Sequence, residues 1–401
     1  MNIILFDEPT TKKNLLPFTF TRPISKIRIG ILTIQEKWEK WFAASYSFLT
    51  DEYLSKKFPS QNSNSNLYIN GSVLPSADII AAIEALKKNQ VLIHKGIPIA
   101  FFGYINSLEE LSSTDFKKSY KEVKFNHGLV MIQNVYDIFI LNGQENRVDF
   151  ELITHGRNSY PIEDPHTKVY NKKNIFIEEG VSIRAAILNA ENGPIYIGAN
   201  AEIGEGSIIR GANSIGEGAI LNLSTRIKGD STVGPFCKVG GEISNSVLFG
   251  YSSKAHDGFL GNSVIGEWCN LGADTNTSNL KNNYKDIRIW NYEEERYSDT
   301  GRQFCGLLMG DHSKCGINTM FNTGTVVGVS SNIFGSGFPR TFIPSFSWGG
   351  AQDFTTYEFR KALEVMPKVF ERRKKMLTQE DVDILKYIFD ATKKYRQEQL
   401  I

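Results

Sequence analysis

From Ile197 the chain sets an aliphatic residue at every sixth position: Ile197, Ile203, Ile209, Ile215, Leu221, Ile227, Val233 and Val239. Four residues after most of them stands a small or compact side chain, as at Ala201, Ser207, Ala219, Thr225 and Cys237, and glycine often follows the aliphatic residue directly. A helix wants apolar residues three and four apart, and a half-buried strand wants them at every second position, so a period of six fits neither. It predicts a parallel β-solenoid. Each six-residue unit makes one side of a triangular coil, the aliphatic side chain stacks inward on its equivalent one coil away, and the small residue turns the corner. The phase is imperfect near Ile177 and Ile183, breaks after Val239, returns at Ile265 and Leu271, and returns again at Met309, Cys315, Phe321 and Val327. On this spacing, residues 245–262 and 277–306 are expected to be insertions thrown out from the solenoid, and polar loops on a rigid scaffold are natural working surfaces.

The front of the chain has another rhythm. "NIILF" reads as a strand, "GILTIQEKWEKWF" as an amphipathic helix, "NLYIN" as a strand, "SADIIAAIEALKK" as a helix that Ser76 can cap, and "VLIHKGIPIAFF" as further strand. Alternating strands and helices predict an α/β layer domain over residues 1–160. The β-helix is expected over 161–350, and 351–401 returns to helical spacing. There Leu377, Val382, Leu385, Ile388 and Phe389 form an apolar stripe, and Thr378 is set to cap ahead of Glu380 and Asp381. These last helices are expected to cap the open end of the solenoid.

Charge narrows the partners. Lys and Arg number 45 against 44 Asp and Glu, so no bulk charge draws nucleic acid or an anionic membrane, and the basic run Arg372–Lys375 reads as a solvated helix face. No leader-like basic and apolar start is seen and no apolar run is long enough to span a bilayer, so the chain is expected to be cytoplasmic, with no membrane partner. The four cysteines (Cys237, Cys269, Cys305, Cys315) lack CxxC spacing and are expected to be buried thiols.

One stretch carries chemistry. "KAHDGFLGNSVIGEWCNLGADTNTSN", residues 254–279, resembles the left-handed β-helix acyltransferases, most closely the acetyltransferase half of the bifunctional GlmU family, which joins glucosamine-1-phosphate acetyltransferase to N-acetylglucosamine-1-phosphate uridyltransferase. Independently of that likeness, an amine that attacks a thioester must lose a proton, and imidazole has a pKa suited to take it. His256 is the candidate general base, with Asp257 beside it. The resemblance implies acetyl-CoA as co-substrate and an amino sugar phosphate as acceptor, glucosamine 1-phosphate being the leading candidate. It places Asn270 and Asn279 against the substrate, Lys285 on its phosphate side, and Ala273 where backbone meets the thioester end of acetyl-CoA. Phe259 stands where the family pattern has tyrosine and Ser244 where it has lysine, with Arg226 and Lys228 on the preceding repeat as candidate replacements. The resemblance also implies a homotrimer with sites between neighbouring coils.

The loop "DEPTTKKNLLPFTFTRP" stands where sugar-nucleotide pyrophosphorylases carry their signature loop, but residues 1–29 contain no glycine, and Ser72 in "YINGSVLPS" stands where those enzymes have a metal-binding aspartate. Glycine-rich loops bring backbone amides to phosphates, so nucleotide geometry is expected to be altered. Asp7, Lys12, Lys13 and Arg22 are the candidates there, cations for the triphosphate of UTP and a carboxylate for Mg2+. The expected whole is a diverged sugar nucleotidyltransferase-like α/β domain, a left-handed parallel β-helix and a helical tail, acting as an acetyltransferase. Nucleotidyl transfer as a second or main activity, and a non-catalytic sugar-nucleotide-binding scaffold, are the alternatives.

Overall fold

Ile3–Phe6 are wholly buried because strand β1 (Asn2–Phe6) lies inside a sheet with neighbours on both sides. The computed structural model describes residues 2–63 and 66–397. Its contacts group into two units, Met1–Leu15 with Thr21–Ile27 and Leu32–Asn134, and Leu16–Phe20 with Arg28–Ile31 and Val135–Ile401. In the first unit β1 runs parallel to β2 (Ser45–Leu49) and to β3 (Asn66–Asn70). Strand β5 (Ile97–Gly103) is antiparallel to both β3 and β4 (Gln90–His94), and β6 (Lys121–Lys124) closes the edge parallel to β4, giving the order β2-β1-β3-β5-β4-β6. Helices α1 (Pro9–Asn14), α2 (Ile34–Trp41), α3 (Glu52–Ser55), α4 (Ala77–Glu84) and α5 (Thr114–Ser119) connect these strands. Thr33 and Glu36 form a capping box on α2, and the Ser76 hydroxyl caps α4 as its position suggested. One core of Phe6, Tyr68, Phe101, Phe116 and Tyr120 packs on the sheet, with the Tyr68 and Phe101 rings stacked at 4.6 Å.

In the second unit every aliphatic residue of the six-residue series, Ile197 through Val239, is buried in one continuous core. Three sheets of six, nine and ten strands wrap that core, built from parallel strands of two to four residues one coil apart, except that the last strand of the third sheet, Phe354–Thr356, turns back antiparallel to Ser347–Gly349. This is a parallel β-helix. Its register is in phase: Ile209 pairs Leu188 and Ile227, Ile215 pairs Ile197 and Val233, and Leu221 pairs Ile203 and Val239.

The first expected insertion is absent. Residues 247–261 form strands that continue all three sheets, with Leu248 beside Val233, Lys254 beside Val239 and Leu260 beside Ile243. Two local features hid this coil. Only Gly240 and Gly241 turn the corner before strand Glu242–Ser244, where the previous coil uses residues 222–225, and an inward position is held by a lysine instead of an aliphatic residue. The second excursion is an insertion. Asn276–Thr277 still pairs with Met320–Phe321, and the chain between carries an antiparallel hairpin of Arg288–Asn291 with Arg296–Asp299.

Helix α6 (Asp137–Thr154) packs on the face that carries Thr232, whose hydroxyl donates to Asn142 Oδ1 at 3.0 Å, while the Asn142 amide donates to the Asp230 carbonyl at 2.9 Å. Helix α7 (Phe359–Glu371) lies against another face, where Phe370 stacks on Trp268 at 4.0 Å. Helix α8 (Gln379–Ala391), capped by Thr378 and Asp381, buries Ile384, Leu385 and Ile388. Helix α9 (Lys393–Gln397) follows, and the Arg396 guanidinium donates to the Ser345 carbonyl at 2.9 Å. No helix among the described residues is long and apolar enough to cross a membrane.

Candidate active site

The corner after strand Ser253–Lys254 holds His256 and Asp257 exposed to solvent. Successive coils stack their corners, and the turns of four coils (Asn222–Leu223, Gly240–Gly241, Ala255–Asp257 and Ala273–Asp274) form an open groove of about 530 Å³. His256 and Ala273, 17 residues apart in sequence, therefore line one groove. Glycines permit the close stacking. A side chain at Gly258, whose φ is +113°, would come within 2.1 Å of the Thr275 carbonyl oxygen, and one at Gly240 within 2.4 Å of the Ala255 carbonyl oxygen. The Asn222 amide ties the coils by donating to the Ala255 carbonyl at 2.6 Å. The His256 imidazole and the Asp257 carboxylate have no hydrogen-bond or ion-pair partner among the described residues, so Asp257 does not orient the ring here.

Beneath this corner lies Lys254, only 1% exposed, whose ammonium donates to the carbonyl oxygens of Gly240 and His256, both at 2.9 Å. Burial pushes its pKa down to about 8, against the opposing pull of the Asp257 and Asp274 carboxylates.

Round the corner, the next face carries four more of the sequence-predicted residues. Arg226, Glu242 and Phe259 lie in register on adjacent strands, as do Lys228, Ser244 and Gly261. Glu242 takes both cations, Lys228 at 2.7 Å and Arg226 at 3.7 Å, so neither is left unpaired for a phosphate in this arrangement. The Asn279 amide lies over Gly261 and donates to Asn262 Oδ1 at 2.7 Å. Lys285 sits exposed in the insertion, its backbone N–H donating to Asn283 Oδ1, and does not line the His256 groove.

Asn270 lines a second groove of about 430 Å³ on the other side of strand Ser253–Lys254. Its walls include Lys238, Lys314, Arg372 and Arg373, with Tyr251 and Trp268 stacked at 4.3 Å alongside. None of the four cations has an ion-pair partner among the described residues. Burial lowers the Lys314 pKa, and its ammonium donates to the His312 carbonyl at 3.0 Å. Arg373 and Arg372 were expected to face solvent only. They face this groove because Phe370 docks the end of α7 on Trp268. Sequence reading missed the groove, since its cations come from three separated segments; the lone signal was Lys238 followed directly by inward Val239.

All four cysteines are free and buried, and burial pushes each thiol above its ordinary value, Cys237 to about 12. They are poor nucleophiles.

In the front unit Lys12 is buried, 2.9 Å from both Asp7 and Asp51, and donates to the Thr50 hydroxyl at 2.7 Å. The two Asp7 oxygens accept from the Ile24 amide and the Thr50 hydroxyl. Arg22 is buried and Lys13 is exposed. Ser72, buried, donates to Asn70 Oδ1 at 2.8 Å. With Asp7 committed to an internal network, Ser72 in the aspartate's place and no cluster of three acidic, His or Cys side chains among the described residues, this donor set does not fit Mg2+.

The sugar nucleotidyl transferase family matches residues 3–158. The bifunctional protein GlmU of Methanococcus aeolicus is 36% identical over 90 residues, 22% of this chain and 21% of that protein. GlmU of Alkaliphilus metalliredigens is 27% identical over 191 residues, 42% of this chain and 41% of that protein. Over these stretches the chain is similar to GlmU proteins. The chain spans only about a fifth to two fifths of the length of those relatives. Among solved structures, the polySia specific acetyltransferase NeuO is 14% identical, over 49% of this chain and 85% of NeuO, with a TM-score of 0.27.

Proposed function

We propose that this chain is an acetyl-CoA-dependent acyltransferase acting on an amino sugar phosphate, with glucosamine 1-phosphate the leading acceptor. The observation that carries the reading is the groove shared by the uncommitted imidazole of His256 and the backbone at Ala273. His256 takes the proton of the acceptor amine as its nitrogen bonds to the thioester carbonyl carbon. The tetrahedral intermediate collapses with cleavage of the carbon–sulfur bond, and the imidazolium returns the proton to the departing sulfur. The acyl end of acetyl-CoA lies along Ala273. The phosphate of the acceptor lies in the cationic groove with Asn270, beside Lys238, Lys314, Arg372 and Arg373. Phe259 and Asn279 border the sugar from the adjoining face.

The assembly is a homotrimer in this reading. Leu223, on the groove, is 67% exposed, and Ile317, next to the coil of Ala273, is 70% exposed; large apolar side chains so placed suit a partner subunit.

The family match over residues 3–158 supports a second activity, transfer of a nucleotidyl group from UTP to a sugar 1-phosphate. One reaction tests both: protein, acetyl-CoA, glucosamine 1-phosphate, UTP and magnesium, read by mass spectrometry. N-acetylated sugar phosphate marks acyl transfer and a UDP-sugar marks the second activity. Binding of the sugar phosphate with no product of either kind, across a panel of amino sugar phosphates, identifies a scaffold instead.

A further inference from the structure

Lys254 stands where the solenoid requires an apolar side chain. Val239 is its inward partner on one coil, and pairing of Ser253 with Asn270 puts Leu271 in the same column on the next. A charge in such a column carries a large desolvation cost, and the pattern offers an obvious cheaper choice, another aliphatic residue. What the ammonium does instead is bridge two backbone carbonyls, Gly240 and His256, both on turns that line the His256 groove. No carboxylate forms an ion pair with it among the described residues.

We propose that Lys254 is a positioning residue for acyl transfer: from inside the solenoid it ties the His256 turn to the Gly240 turn and so holds the imidazole-bearing corner for proton transfer. The geometry is specific to this role. Lys254 is two residues before His256, yet its side chain is buried and donates to the His256 carbonyl, while the exposed ring keeps no hydrogen-bond partner among the described residues. The Gly240 carbonyl it also holds belongs to the shortened two-residue corner, which has no side chains of its own to fix it. The groups that share its field are the rim carboxylates Asp257 and Asp274, Arg226 on the preceding coil and the Cys315 thiol in the core. Burial is the largest influence on it and the two carboxylates help keep it charged.

The proposal rests on His256 as the base, and the test separates the two. In the full chain, Lys254→Met keeps the length of the side chain and suits the apolar column. The expected result is a Tm equal to or above that of the wild type, a KM for acetyl-CoA within about two-fold, and a kcat about 10- to 100-fold lower. Amide hydrogen exchange over residues 255–258 is expected to be about ten-fold faster in the variant. An unchanged kcat, or a kcat lost together with Tm, overturns the positioning role. If the wild type acetylates no amino sugar phosphate, the functional reading fails by itself. Exchange then decides the clamp alone: faster exchange in the variant upholds it, and equal exchange overturns it.

Discussion

The Lys12 ammonium lies 2.9 Å from the Asp7 carboxylate with both side chains almost fully buried, so two residues whose types suit a triphosphate and its metal are joined to each other. Thr50 and the Ile24 amide complete the network around Asp7. Replacing Lys12 with Met leaves a buried carboxylate without its cation, which typically costs about 3–5 kcal/mol. The expected outcome is a correspondingly weakened unfolding transition of the front unit in urea. Unchanged stability with weaker UTP binding would assign Lys12 to the nucleotide instead.

Lys254 makes stability depend on alkaline pH with a definite sign. Its pKa is about 8 in the folded chain against an ordinary value of 10.5, so between those values the unfolded chain holds the extra proton. Stability contributed at this site therefore rises as pH increases from 8 to 10.5, because the cost of burying the charge disappears. At about 1.4 kcal/mol per pKa unit, the rise is on the order of 3 kcal/mol. Urea unfolding of wild type and Lys254→Met across pH 7–10.5 checks it: the stability difference between them shifts toward the wild type with pH. A pH-independent difference contradicts a buried, depressed lysine.

The cationic groove makes a kinetic prediction. Reversing two walls with Arg372→Glu and Arg373→Glu is expected to raise the KM for the amino sugar phosphate about 10- to 100-fold while kcat stays within about two-fold, since these groups are asked to bind and not to react. Steady-state kinetics at two ionic strengths measures it, and the wild-type KM should itself rise with salt. A selective fall in kcat would place the arginines closer to the reacting centre.

Gly258 tests how tightly the His256 corner is built. At φ +113° and with the Thr275 carbonyl oxygen 2.1 Å from where a Cβ would stand, Gly258→Ala forces this corner off the neighbouring coil. A displacement of about 1 Å at a catalytic group is worth up to about a hundred-fold in rate, so kcat for acetyl transfer should fall by 10- to 100-fold. Circular dichroism should show the β-helix retained, because the change is confined to one turn.

The hexapeptide rhythm was legible because each inward aliphatic residue lies in one core, from Ile197 to Val239 and again from Met309 to Val327. The coil at 247–261 was not, for the reason that makes it interesting: a two-glycine corner shifts the phase and Lys254 removes an aliphatic mark. His256 was legible through its local pattern, as was Ala273, and the solenoid's pitch sets them on one groove. The ion pairing of Arg226 and Lys228 with Glu242 was hidden, since a parallel sheet pairs residues a full coil apart. The cationic groove was hidden for a longer-range reason, because Arg372 and Arg373 reach Lys238 only when Phe370 stacks on Trp268.

The most direct test of the account is transfer of an acetyl group by wild type and His256→Ala, both confirmed folded, with acetyl-CoA and glucosamine 1-phosphate and the products weighed by mass spectrometry. The account predicts N-acetylated sugar phosphate from the wild type and a rate at least about a hundred-fold lower from the variant. Equal rates from the two proteins would contradict His256 as the base.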